Sequence, residues 1–394
     1  MYKLYLKQVI LFFLLFCIPL GGNWLFLLNL GELLPVNDVV KYQLSSKNNC
    51  IVGLATRNQG YYYKKAMYKE LLPNILILGS SRVMQFRKNF FKDSMMTSGG
   101  AMSSINEGFS YIKDIFDIHV PEVVIIGLDY WWFNENAVLP SSEIKPPLEL
   151  ASRISLRKYI LPLTWVWHGK ISKNSFLHNM NPINILKSGF DNGVGVDGIL
   201  NKNGFGSDGS YYYTKLIIGK EKSYDEHFQV SLKNIETNGA RFEYADRVNT
   251  QHFKNFMALV TYIKSYGSRI IVFIPPLAPT VVSRMNDFSE QYSFIDELRH
   301  NLSANGIEYF DFHDPGLLDT SDCEFIDGIH GGDVVYARIL KYISERTSDF
   351  GYRVNTDYLD KIIFHYHNLA MIPQSEITTQ SELDFLKLGC KKHS

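Results

Sequence analysis

Cysteine is scarce in this chain. Four occur in 394 residues, and no two stand at a spacing that metal sites use. His365-Tyr366-His367 is the densest histidine pair, and it has no carboxylate at ligand spacing, so neither a metal nor a cofactor is expected. In an oxidising compartment Cys50 and Cys323 can pair; the other reading leaves them as separate buried thiols. Charge of one sign is also lacking: 40 basic and 40 acidic side chains cancel. Nothing in that balance points to a nucleic-acid partner, which would call for a basic face. Internal repeats and low-complexity stretches are missing too, which excludes a solenoid.

Long apolar runs are almost absent, with one exception. Residues 9–30 are apolar apart from Pro19, Gly21, Gly22, Asn23 and Asn29. At ~1.5 Å per residue this run spans a ~30 Å hydrocarbon core. Lys3 and Lys7 precede it, and Glu32 and Asp38 follow, so the positive-inside rule leaves a short cytoplasmic stub and puts the remainder outside. A cleaved signal peptide is the rival reading. The length of the run and the lack of a small-x-small cleavage site favour an uncleaved, single-pass inner-membrane anchor with an extracytoplasmic domain.

Beyond residue 34 the chain alternates short β-rich runs with helical patterns. Ile75–Leu78, Met95–Thr97, Val123–Ile126, Ile270–Phe273 and Ile307–Phe312 read as strands. Phe109–Ile118 and Phe253–Tyr266 read as helices between them, which predicts a parallel, doubly wound α/β sheet. Asp333 stands where an N-cap belongs, ahead of a closing helix over Val334–Ile343. The rhythm lapses between 131 and 250, a stretch expected to form a cap insertion, and residues 351–394 read as a helical, polar tail. The organisation expected is thus a stub and anchor over 1–34, a catalytic domain over 35–350 and the tail.

Three chemical groups follow candidate strands. Gly79-Ser80-Ser81-Arg82 leaves the first, Ser98-Gly99-Gly100-Ala101 ends the second, and Asp327-Gly328-Ile329-His330 lies far downstream. A serine at a strand end plus an Asp-x-x-His loop supplies nucleophile, base and orienting carboxylate for acyl transfer: Ser81, His330 and Asp327. Ligands of open α/β sheets bind beyond the carboxyl ends of the strands, where all these residues fall.

These blocks resemble those of the SGNH (GDSL-like) hydrolase family, whose sheet is flavodoxin-like and three-layered. The resemblance puts Ser81 at the nucleophile position and Asp327 with His330 in the last block. It implies an oxyanion hole from the backbone of Ser81 with Gly99 or Gly100. The family has Gly-x-Asn-Asp after its third strand, whereas this chain has Gly127-Leu128-Asp129-Tyr130. Asp129 therefore stands where an asparagine donor belongs, and an ionised carboxylate only accepts hydrogen bonds. Either Asp129 is protonated, or another donor serves, or the activity is altered. Together with the anchor, the pattern is similar to the surface-polysaccharide O-acyltransferase branch. That implies a cell-surface glycan as substrate and a multi-spanning membrane protein as source of acyl groups if the reaction is transfer. Arg82, Trp131 and Trp132 are candidate substrate contacts, with an ion pair for Arg82 and core packing for the tryptophans as the alternatives.

Overall fold

The computed structural model describes residues 2–47, 49–56, 60–137, 156–181, 190, 193–374 and 380–392. Of the expected insertion, positions 138–155, 182–189 and 191–192 lie outside the described residues. The helices used below are α1 (Tyr2–Asn29), α2 (Ile105–Phe116), α3 (Leu161–Trp167), α4 (Lys173–Asn179), α5 (Thr250–Ser265), α6 (Asp333–Arg346) and α7 (Thr356–His365). The main strands are β1 (Ile75–Gly79), β2 (Met95–Gly99), β3 (Val123–Gly127), β4 (Arg269–Ile274) and β5 (Tyr309–Asp311).

The chain divides into two compact units, one of residues 1–62 with 146–207, the other of residues 63–145 with 208–394. These edges differ from the expected ones at 34, 131, 250 and 350. The reason in the first unit is a shared core: Phe26, Leu27 and Leu30, at the end of α1, pack with Ile171, Phe176 and Val196. The fully buried Glu32 completes it. Its carboxylate accepts the N–H groups of Ala55 (2.8 Å) and Val196 (2.9 Å) and the Thr56 hydroxyl (2.6 Å). The end of α1 and the middle of the insertion thus form one body. α1 is the one described helix long and apolar enough to cross a membrane.

The second unit carries a five-stranded, wholly parallel sheet in the order β2-β1-β3-β4-β5. All residues of β1, β2 and β3 are buried. Parallel strands covered on both faces read as continuous apolar runs, which is why these segments stand out in the sequence. The register pairs Gly79 with Gly99 and Leu78 with Ile126, so these strand ends are level. α2 and α5 pack together through Phe109, Phe116, Tyr262 and Tyr266, and Tyr336 of α6 reaches Phe273 of β4.

The tail is part of this second unit. α7 packs on α6, and the buried Glu382 accepts the N–H groups of Ala370 and Met371 (both 3.0 Å) and pairs with Lys392 (2.6 Å). A disulfide joins Cys323 to Cys390. The Cys50–Cys323 pairing considered above is therefore corrected: Cys50 is a buried thiol of the first unit outside any disulfide, and it donates to Phe190 O (3.3 Å). Asp333 is also not the N-cap of α6. Gly332 holds that place, and the Asp333 side chain turns to Arg87 and to the Ile372 N–H.

Candidate active site

Glycine is required where β1 ends. The turn after Gly79 folds Val83 across two neighbouring strand ends. A Cβ on Gly127 would lie 2.4 Å from the Val83 side chain, and one on Gly79 would lie 2.9 Å from it. Ser80 caps the short 3-10 turn Ser81–Val83, its hydroxyl accepting the Arg82 N–H (3.2 Å). Capping falls to Ser80, which leaves the Ser81 hydroxyl for another partner.

That partner is His330. Ser81 Oγ lies 2.7 Å from His330 Nε2, and His330 Nδ1 lies 2.8 Å and 2.9 Å from the two Asp327 oxygens. The loop carrying both partners is pinned at its base by a bridge between Phe325 and Gly331 and by Gly332 N–H donating to Glu324 (2.8 Å). Asp327 Oδ1 also accepts the N–H groups of Ile329 (2.9 Å) and His330 (2.8 Å), and its Oδ2 accepts the Tyr224 hydroxyl (2.7 Å). Burial pushes the Asp327 carboxyl up, but the His330 ring, the Ile329 N–H and Tyr224 outweigh it and hold the group well below the usual carboxylate range. An ionised Asp327 keeps the imidazole proton on Nδ1, so Nε2 presents its lone pair to Ser81 Oγ–H.

Arg82 does not reach outward. It is 1% exposed and donates Nε to Ile329 O (2.8 Å), Nη2 to Pro275 O (2.8 Å) and Pro276 O (2.6 Å), and Nη1 to Asp129 Oδ1 (3.2 Å). The substrate-contact expectation for Arg82 is corrected, because every hydrogen-bonding nitrogen is already committed inside the protein. Through Ile329 it ties the serine turn to the histidine loop. Asp129 is its counter-ion. Burial raises the Asp129 carboxyl above its ordinary range, opposed by Arg82 and by the Ser80 hydroxyl. The acid after β3 thus answers the arginine after Ser81.

The glycine N–H groups are also committed. Gly99 donates to Thr97 Oγ1 and Gly100 to Gly79 O, both at 3.1 Å. An oxyanion at either N–H would compete with that bond. Among the described residues the Ser81 N–H makes no hydrogen bond, and it is an open donor beside the Ser81 hydroxyl. Trp131 and Trp132 line a cavity of about 410 Å³ with Asn134, Arg241, Glu243 and His252. Neither Ser81 nor His330 is among its lining residues. Trp131 lies against Arg82, whose guanidinium is 5.0 Å from its ring centre. Among the described residues no group of His, Cys, Asp and Glu is arranged to hold a metal.

Two supports carry no signal in the sequence. Tyr224 is one. Asp225, fully buried, is the other: it accepts the N–H groups of Val230, Ser231 and Gly328, the last at 2.9 Å inside the Asp-x-x-His loop. Both act through tertiary contact across about a hundred residues, which no local pattern encodes.

No protein-family model matches the chain, and no curated protein matches it.

Proposed function

We propose that the chain is a membrane-anchored, extracytoplasmic serine acyl-transfer enzyme of the SGNH kind, acting on O-acyl groups of a cell-surface polysaccharide. The observation that carries this reading is the continuous Ser81–His330–Asp327 relay, with contacts of 2.7 and 2.8 Å. The strand order 2-1-3-4-5 is the flavodoxin-like one and supports the family resemblance. Ser81 and Asp129 follow β1 and β3, which flank the point where that order reverses. The Cys323–Cys390 disulfide suits an oxidising compartment, and α1 supplies the anchor.

In the proposed reaction His330 Nε2 takes the Ser81 Oγ proton as Oγ attacks the ester carbonyl. The Ser81 N–H faces the oxyanion. Collapse expels the alkoxide, which leaves with the proton held by His330, and an acyl-serine remains. A sugar hydroxyl or water then gives its proton to His330 and attacks the acyl-serine, regenerating Oγ–H. A sugar acceptor makes the protein a transferase fed by a multi-spanning acyl exporter, and water makes it an esterase. The anchor beside such a partner favours transfer.

A second reading has one observation in its favour. The Arg82–Asp129 pair fills the place of an oxyanion donor and the glycine N–H groups are committed, as in a catalytically degenerate domain that binds glycan or scaffolds an assembly complex. Aryl acetate hydrolysis by the purified full chain separates the two. Turnover that disappears in Ser81→Ala and His330→Ala is expected. Turnover equal in all three proteins, with glycan binding retained, would assign the scaffold role.

A further inference from the structure

The anchor has a length problem. Along α1 the side chains of Leu6, Ile10, Leu11, Phe12, Phe13, Leu15, Ile18 and Leu20 are exposed, as a lipid-facing helix requires. From Asn23 onward the helix is packed: Asn23, Phe26 and Leu27 are fully buried, and the Phe26 ring lies 5.1 Å from that of Phe176. The unpacked stretch between Lys7 and Asn23 is residues 8–22. At ~1.5 Å per residue it covers only about 22 Å of a ~30 Å hydrocarbon core. Continuing to Asn29 brings the span to about 33 Å, enough to cross. The last turns of α1 then lie at membrane depth, and whatever packs on them lies there too.

What packs on them is α3 and α4. This pair has the surface of an interfacial element. Ile160 (49%), Leu163 (39%), Trp167 (87%) and Leu177 (60%) are exposed, and so is Trp24 on α1 (46%). Residues 156–181 contain Arg157, Lys158, Lys170 and Lys173 and no Asp or Glu. Exposed tryptophan beside lysine and arginine, with acids excluded, is the composition of a segment lying among anionic lipid headgroups.

We propose that α3 and α4 form a collar around the emerging end of α1, seated in the interfacial zone of the bilayer and binding anionic phospholipid. The collar packs on the last turns of α1, the part of the span that is buried in protein rather than bare. It rests on the reading of α1 as a membrane helix, and its test keeps the two apart.

The full chain, with Cys17→Ser, is labelled with an environment-sensitive fluorophore at Phe12→Cys or at Trp167→Cys. Each is reconstituted into phosphatidylethanolamine–phosphatidylglycerol vesicles holding phospholipid spin-labelled at a shallow or a deep position. The Phe12 site is expected to be quenched more by the deep label. The Trp167 site is expected to be quenched at least about twofold more by the shallow label and to be shielded from iodide. A quenched Phe12 site with an unquenched, iodide-accessible Trp167 site would leave the anchor standing and overturn the collar. Both sites unquenched would overturn the membrane helix itself. Shielding of Trp167 that grows with protein concentration, without lipid quenching, would assign the patch to a second copy of the chain and overturn the proposal.

Discussion

Two buried arginine–aspartate pairs grow from the same stretch after β1, and they are built differently. Arg87 meets Asp333 Oδ1 twice (3.0 and 2.7 Å), while Oδ2 accepts the Ile372 N–H (3.0 Å), so that carboxylate is fully engaged. Arg87 also reaches Ser210, Gln85 and Tyr211 O and lies over the Tyr212 ring. Arg82 touches Asp129 once, and Asp129 Oδ2 is buried with no hydrogen bond among the described residues. The Arg87 pair fastens α6 to its surroundings and is saturated. The Arg82 pair sits under the serine turn and leaves one acceptor unspent. Saturation marks a staple, whereas the Arg82 pair keeps an acceptor in reserve beside the turn that carries Ser81.

The largest expected effects come from stranding either acid. Arg87→Met and Arg82→Met each leave a buried carboxylate without its cation, and each should cost about 3–5 kcal/mol in urea unfolding. They part in ester turnover per folded molecule. Arg82→Met should lower it about a hundredfold because the Ile329 tether to the histidine loop is lost, whereas Arg87→Met should leave it within about threefold. Equal loss of turnover in both would erase the distinction.

Neutralising the acids sharpens it. Asp129→Asn puts an amide donor beneath the serine, and aryl acetate turnover should rise about tenfold, part of the ~10²–10³ that one oxyanion donor supplies. Asp333→Asn should lower stability and leave turnover unchanged.

Tyr224→Phe comes next. It removes one hydrogen bond from Asp327, so kcat should fall about tenfold. The Asp327 carboxyl is depressed in the folded protein, so its contribution is present above the ordinary carboxylate range and is lost as pH falls through the folded value. Losing Tyr224 raises that value, so the stability supplied by Asp327 should be lost from a higher pH in acid unfolding of the variant than of the wild type.

The smallest effect belongs to the Arg87 side. Lys64 is buried and donates to Thr97 O (2.9 Å) and Gly209 O, and burial, opposed by the charge of Asp208, lowers it from 10.5 to about 7. Between those values the unfolded chain binds the proton and the folded one does not, so stability rises with pH from about 7 upward. The thermal midpoint should climb from pH 7 to 9 in the wild type and stay flatter in Lys64→Met.

Much of this was legible in the sequence. Parallel strands buried on both faces are uninterrupted apolar runs, so β1, β3 and β4 show directly; the weak Met95–Thr97 run lies within β2, and the half-buried edge strand β5 lies within the Ile307–Phe312 run. The relay was legible because a nucleophile at a strand end and an Asp-x-x-His loop are each local patterns. What was not legible depends on tertiary packing. The end of α1 shares a core with residues far along the chain, so hydropathy alone drew the boundary at 34. The ion pair expected for Arg82 is there with Asp129, but its three carbonyl acceptors, on two distant loops, carry no local signal. Cys390 stands in a polar tail with nothing nearby to mark it as the partner of Cys323. The committed N–H groups of Gly99 and Gly100 follow from strand-end geometry that a Gly-Gly pair does not reveal.

The central claim is that Ser81 is a nucleophile activated by His330. Treating the full chain with a fluorophosphonate probe and mapping the adduct by peptide mass spectrometry tests it most directly. The account predicts one modified residue, Ser81, in the wild type, no adduct in Ser81→Ala and a strongly slowed one in His330→Ala. A folded wild-type protein that takes up no probe, or takes it up equally in His330→Ala, would contradict it.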